Sequence, residues 1–510
     1  MPKIEGDEMA YSINRYKIAC SFLLFLVSVL IILSVYNANG VGWDFLSHYL
    51  NGRTLASSYF YSHLNLFSRT VSLNVTLNGV NHVFNATPAL IVSKGFYFDA
   101  VWEPLSPFLI GIFIALAHGA AFEIYLIFML LLLFIASYIA AKGLDVDPLL
   151  LSSIIVGPYV ISFNILYNGG EILALSLALV SIGLAARKQY KSGIFIGLMG
   201  LARYDSLIIS PIAFLLGKRK DVLKAIALGI LITIPWLVFN FLLLGNPLQS
   251  YLLQLAETQP QNSNGIMFVS TLYSIVRYPL ALLTISIITL MYLGRNKLKK
   301  YKRPFKAIKD LIKNQKMLVL LSSLVLAIIG FSFTYNNAQG PIRLGYLVYL
   351  SMAALAAIAL STDGLSKIKI NLIEGHYEIG QIIPYVIFAV SLALLLTLYS
   401  NWMQAHFNVL GSLGFKNQDF NLAIDALQSH NLGGCSIVSN AWPYTNFYNV
   451  TTYAPFYCNS TIEKMPILIF NKIGVSNYCI GSINNLTGIS ETIKYTNFTI
   501  YLPNNYSCVN

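Results

Sequence analysis

Charge is what this 510-residue sequence has least of: 11% of its residues are Asp, Glu, Lys or Arg, against 56% hydrophobic. Soluble domains carry about a quarter charged residues, so this composition, with a mean hydropathy of +0.64, excludes a water-soluble fold of this length. No P-loop, Gly-rich phosphate loop or Ser-His-Asp pattern is present, and the seven histidines are scattered without metal-ligand spacing. Neither a nucleotide-binding enzyme nor a serine hydrolase is therefore indicated. An internal repeat is also missing, which speaks against a transporter built from inverted halves. Cysteine is sparse, with five residues, and four of them (Cys435, Cys458, Cys479 and Cys508) follow the last long apolar run.

What the sequence does have is apolar runs of bilayer-crossing length. Segments 18–36, 120–141, 222–244, 317–333, 343–361 and 382–399 each approach the roughly 20 residues that span a bilayer. Shorter apolar pieces lie near 104–118, 148–166, 171–186 and 267–293. Arg15 and Lys17 precede the first run as they would in a signal peptide, but no small-residue cleavage site follows, so a retained first helix is expected. Segment 193–217 is interrupted by Arg203-Tyr204-Asp205 and flanked by basic residues. It reads as two half-helices in a re-entrant hairpin, tolerable in a membrane only inside protein or beside a water-filled cavity.

Sidedness follows from charge. Of the net charge of +12, segment 295–316 supplies +9, ten Lys/Arg against Asp310, between two spanning runs. That is a cytoplasmic loop by the positive-inside pattern rather than a nucleic-acid surface. Arg187-Lys188-Lys191 and Lys218-Arg219-Lys220 mark further cytoplasmic turns. All seven Asn-x-Ser/Thr sequons, at Asn74, Asn85, Asn449, Asn459, Asn485, Asn497 and Asn505, fall within 37–103 or 400–510. With the four late cysteines they place both stretches in an oxidising, extracytoplasmic compartment. Two disulfides are expected in the tail, in any of three pairings.

The expected architecture is an all-α polytopic membrane protein with a small extracytoplasmic α/β C-terminal domain. Residues 1–399 form the transmembrane domain, including the outer loop 37–103, and 400–510 form the outer domain. A cytoplasmic N-terminus and an outside C-terminus need an odd number of spans, about 11 to 13. In the tail, Phe420, Ile424 and Leu427 have helical spacing over 417–430, Gly433-Gly434 follows as a stop, and β-type runs lie at Ser436–Val438, Ile467–Phe470 and Thr499–Leu502.

Six places have residues suited to chemistry. Trp43-Asp44 opens a stretch, 45–57, that reads as an interfacial helix; Asp44 either N-caps it or accepts a proton from a bound hydroxyl, with His48 one turn on. Asp99 and Glu103 stand four apart where the outer loop returns to the membrane at Pro104 and Pro107, as site acids or solvated loop acids. Arg203 and Asp205 are ions at membrane depth, which cost roughly 2.5–3.5 kcal/mol each on insertion scales. They form either a site or a neutralising pair at the half-helix break. Arg343, after Gly340-Pro341, either holds a phosphate or snorkels to the interface. Glu171, after Asn168-Gly169-Gly170, reads better as a helix-start charge. Asp145-Val146-Asp147 has the form of a metal-binding Asp-x-Asp but lies in a turn between spans.

These features together resemble the GT-C superfamily of membrane glycosyltransferases. The residues that carry the resemblance are Asp44 with His48-Tyr49 after the first helix, the long first outer loop, and Glu103-Pro104-Leu105-Ser106-Pro107. Arg203-Tyr204-Asp205 with Ser210-Pro211, and Pro235-Trp236, Asn240 and Gly245-Asn246-Pro247, extend it over most of 15–400. The Trp-Trp-Asp motif of oligosaccharyltransferase catalytic subunits is absent, which argues against that branch. The resemblance implies an inverting hexosyltransferase, with mannose one candidate sugar. Its donor would be a polyprenyl- or dolichyl-phosphate sugar, and its acceptor a glycan, lipid or protein at the extracytoplasmic face. It further implies Asp44 as general base, with His48, Asp99, Glu103, Arg203, Asp205 and Arg343 as substrate-binding candidates. Metal dependence varies within the superfamily, so a divalent metal is compatible, although no cluster calls for one. Cell membrane and endoplasmic reticulum both fit. The alternative function is a polytopic transporter or flippase of a lipid-linked or small substrate.

Overall fold

The computed structural model describes residues 3–39, 43–57, 71–77, 80–86, 90–93, 96–99, 102–117, 120–156, 170–252, 316, 339–361, 369–372, 375–404, 417–441, 445, 450, 452–453, 465–471, 489–504, 506 and 508. The expected runs 267–293 and 317–333, most of the basic segment, and Cys458 and Cys479 lie outside the described residues. The described part is mostly helical, with a small C-terminal sheet. Four of its helices are long and apolar enough to cross a membrane, within Arg15–Ser34, Ala121–Leu144, Arg219–Leu242 and Ile379–Thr397.

The helices are α1 (Lys3–Asn39), α2 (Trp43–Leu55), α3 (Leu105–Ala117), α4 (Ala121–Leu144), α5 (Pro148–Ile155), α6 (Glu171–Ala186), α7 (Ser192–Ala202), α8 (Ser210–Leu216), α9 (Val222–Leu244), α10 (Gln339–Ser361), α11 (Ile379–Gln404) and α12 (Asn417–Ser429). Their ends are set by local chemistry. Asp145 ends α4 in the left-handed conformation, at φ 59°, and Asp147 caps α5 by accepting from the amides of Leu149 and Leu150, with Pro148 in the first turn. Gly245 ends α9 at φ 76°. The Asp145-Val146-Asp147 motif is thus a joint between helices. Both carboxylates are also paired: Lys17 of α1 reaches Asp147 at 2.5 Å, and Lys316 pairs with Asp145 and donates to the Gly143 carbonyl at 3.1 Å.

These contacts define a basic end of the bundle. Gly143 and Gly183 let the last turns of α4 and α6 meet backbone to backbone, so both helices finish there. The turn 187–191 follows, and Lys188 Nζ donates to the carbonyl of Leu216 at 2.6 Å. That bond joins the two feet of a helical hairpin, α7 up and a 3-10 turn (Tyr204–Ile209) with α8 back, which is the hairpin expected over 193–217. Its tip, Arg203, is at the far end from the lysines. α6, with 16 residues, spans roughly 24 Å between the two levels.

Small β elements complete the picture. Antiparallel hairpins β1–β2 (Val71–Leu77, Val80–Ala86) and β3–β4 (Leu90–Ser93, Phe96–Asp99) occupy the expected outer loop, and β5–β6 (Lys369–Leu372, Gly375–Glu378) precedes α11. The tail holds β7 (Ile437–Ser439), β8 (Thr452–Tyr453), β9 (Ile467–Phe470), β10 (Ile489–Lys494) and β11 (Phe498–Pro503) in the order β10-β11-β9-β7-β8. β7 runs parallel to β8 and β9, while β9, β11 and β10 alternate. Phe420, Ala423 and Leu427 line the inner face of α12, and Phe420 packs on Phe470 at 4.6 Å between centroids. Cys435, before β7, is bonded to Cys508 after β11.

Candidate active site

Arg203 ends α7 in an extended conformation, φ −155° and ψ 119°, and so turns the chain into the 3-10 segment. Ser206 braces that break by donating to the carbonyls of Arg203 at 2.6 Å and Met199 at 3.0 Å. The guanidinium is 1% exposed, and three carboxylates surround it. Nη1 lies 3.2 Å from Glu171 Oε1, Nη2 3.2 Å from Asp205 Oδ2, and Nε 3.7 Å from Glu103 Oε1. Asp205 is local, Glu171 is the first residue of α6, and Glu103 precedes α3, so one cation joins three separate elements. Charges taken this far from water cost several kcal/mol each unless paired and hydrogen-bonded, and the cluster supplies the pairing.

Gly170 explains how Glu171 arrives there. It caps α6 at φ +104°, in the left-handed region where L side chains are strained. A Cβ added to it would meet Ala202 O at 2.5 Å and Ser106 Oγ at 2.9 Å. Only glycine lets the start of α6 close against both the end of α7 and the start of α3. Beyond Arg203, Tyr204 OH accepts from Trp236 Nε1 of α9 at 2.8 Å and packs edge-on to Tyr251 at 5.9 Å. Asn240 ties the turn after α9 by donating to Pro247 O at 3.2 Å and accepting from Ser250 Oγ at 2.9 Å. Trp236 and Tyr251 thus flank Tyr204 at the hairpin tip, and Asn240 holds the turn that leads to Tyr251.

α2 also comes to this end. Gly52 and Gly111 allow it to lie directly on α3: a Cβ on Gly52 would meet Pro107 O at 2.7 Å and Gly111 N at 3.0 Å. The buried His48 ring then sits 5.1 Å from the ring of Trp102, next in sequence to Glu103. Asp44 is in the first turn of α2, one turn before His48. Asp99 ends β4, which packs against the same helix. Arg343 is in the first two turns of α10, a helix that touches the 3-10 segment carrying Asp205. The side chains of Asp44, Asp99 and Arg343 lie outside the described residues.

Of the residues expected at a site, Glu103, Arg203 and Asp205 are in direct contact, and His48 adjoins them through Trp102. Glu171, read from sequence as a helix-start charge, belongs to the same cluster. The signal available for it was the Gly169-Gly170 pair before an acid at an apolar helix start. Arg203, expected to meet a leaving phosphate, is engaged by carboxylates. Among the described residues, no group of three or more metal-ligand side chains is arranged to hold an ion.

No protein-family model and no curated protein matches the sequence. The fold is similar to that of the Archaeoglobus fulgidus oligosaccharyltransferase in its apo form, with a TM-score of 0.50 and 13% identity over 88% of this chain and 65% of that one. The same enzyme in complex with Zn and sulfate aligns at a TM-score of 0.44 and 14% identity, over 88% of this chain and 68% of that one. This chain thus spans just under two thirds of the length of the apo enzyme. At such identity the likeness is one of fold, and it falls on the branch whose Trp-Trp-Asp motif this sequence lacks.

Proposed function

We propose that this protein is an inverting membrane glycosyltransferase. It moves a hexose from a polyprenyl- or dolichyl-phosphate donor to a glycan, lipid or protein acceptor at the extracytoplasmic face. The observation that carries this reading is the assembly at one end of the bundle. There α2, opening with Asp44, lies on the start of α3 and joins the Arg203–Glu103–Glu171–Asp205 cluster. That end is opposite the lysine-rich one, so the positive-inside pattern supports an extracytoplasmic site. The fold likeness to an oligosaccharyltransferase is in keeping with a lipid-linked donor. In this reading residues 1–399 form a membrane domain of about 11 to 13 spans, and 400–510 form a disulfide-bonded outer domain.

In the reaction the acceptor oxygen attacks the anomeric carbon as the bond from that carbon to the phosphate oxygen breaks, its electron pair leaving with the lipid phosphate. Asp44 takes the proton of the acceptor hydroxyl, a role worth typically 10²–10⁴ in rate. Arg343 faces the charge that grows on the phosphate. Arg203, held by three acids, forms the charged floor of the site, with Glu103, Asp205, His48 and Asp99 as its substrate-binding residues.

The test is incubation of purified protein in nanodiscs with a panel of polyprenyl- and dolichyl-phosphate sugars and acceptors, with and without divalent ions, read by mass spectrometry. A new glycosidic bond with release of lipid phosphate is expected. A donor carried across the bilayer with its glycosidic bond intact contradicts the proposal and favours the transporter.

A further inference from the structure

The lysines at the other end do more than mark a side. The turn 187–191, the end of α8 and the start of α9 flank an open hollow of about 690 Å³, lined by Lys188, Lys191, Lys218, Lys220 and Lys224 with Gln189, Tyr190 and Asp221. Five cations face one hollow against one acid, and that acid is bonded to Lys224 at 3.3 Å. The positive-inside pattern calls for lysines in these turns but not for their convergence. Converging like charges repel one another unless an anion sits among them. Lys188 adopts φ 61°, uncommon for a residue with a Cβ, while its Nζ holds Leu216 O. Next in sequence to Lys224, Leu223 is 77% exposed and begins an exposed apolar strip along α9 with Ile230 and Ile234, so an apolar surface suited to acyl chains starts beside the lysines.

We propose that this cavity binds a phosphate group carrying about two negative charges, presented as a phospholipid headgroup of the adjoining leaflet. The ammonium groups of both feet of the hairpin contact the phosphate, and α9 takes the chains. Bound there, the anion ties the feet together below the tip that carries Arg203. The inference is independent of the proposed transfer reaction.

The test uses the full-length protein in phosphatidylcholine nanodiscs with and without phosphatidic acid, and the same protein with inorganic diphosphate as a soluble probe. Native mass spectrometry counts retained lipid, and thermal unfolding reports its effect. Phosphatidic acid should be retained and should raise the melting midpoint. K191A/K218A/K220A should weaken retention roughly tenfold or more, while K297A/K299A/K300A, equal in charge removed, should not. Stabilisation by diphosphate without lipid retention would contradict the headgroup assignment and show a soluble phosphate as the ligand instead. If the first triple variant fails to fold, Lys220→Glu on the exposed rim serves instead. Equal retention by wild type and both triple variants, or no preference for phosphatidic acid over phosphatidylcholine, overturns the proposal.

Discussion

Arg203 at the tip of the helical hairpin and Glu171 at the start of α6 meet at 3.2 Å, in a cluster that Asp205 and Glu103 complete. Removing the cation leaves three carboxylates facing one another out of water. Arg203→Ala should therefore lower stability by about 3–5 kcal/mol and abolish turnover. Glu171→Gln should do less harm, and in the double variant part of the loss should be recovered. Thermal unfolding of the single and double variants yields the coupling; additive effects would show that the two side chains act separately.

The seat of α2 on α3 depends on Gly52 and Gly111. Gly52→Ala forces a Cβ into Pro107 O and the Gly111 amide, so overpacking of about 1–3 kcal/mol is expected. Sugar transfer should fall, because His48 and the start of α2 move away from Glu103, while the Cys435–Cys508 bond persists. Unchanged transfer and an unchanged melting midpoint would contradict this seating.

Parts of this arrangement are legible in the sequence because local rules decide them. The hairpin over 193–217 follows from an ionic interruption between two basic flanks. The Phe420–Ile424–Leu427 spacing gives α12, and Ile467–Phe470 is the strand β9. Runs 120–141 and 222–244 become α4 and α9. The hairpin β1–β2 has a local signal, the strict apolar–polar alternation of Val71–Leu77 followed by Asn78-Gly79, whereas in β3–β4 apolar residues on both faces mask the alternation. Convergence of Glu103 and Glu171 on Arg203 was equally hidden. It rests on the left-handed Gly170 and the close approach to Ala202, neither of which leaves a periodic trace. Asp145-Val146-Asp147 shows the reverse: a chemical motif by spelling that folds into two helix termini with lysine partners.

Orientation is open to a direct check. A single cysteine at position 305, in a cysteine-free background, should react only with a reagent applied from the cytoplasm, as should one at position 189 in the lysine-rich turn. Reaction of either from outside would put the Arg203 cluster on the wrong face for an extracytoplasmic donor.

The tail disulfide closes 73 residues between Cys435 and Cys508. A loop of that length constrains the unfolded chain by about 4 kcal/mol in the chain-entropy account. Cys508→Ser should lower the stability of the tail by up to that amount. Non-reducing peptide mapping should recover the 435–508 pair together with 458–479, the remaining cysteines. A different pairing would contradict the Cys435–Cys508 bond, and four free thiols would remove the support for an oxidising compartment.

The central claim rests on Asp44 as the base. Asp44→Asn keeps the size of the side chain and most of its helix-capping ability, so a cap alone would survive the change. An amide cannot take the acceptor proton, and transfer should fall by about 10²-fold or more with the melting midpoint and donor affinity retained. The measurement is the rate of sugar transfer from lipid-phosphate donor to acceptor by the purified Asp44→Asn protein beside wild type. A loss of that size in a stable, donor-binding protein is the predicted result; near wild-type transfer would contradict the assignment.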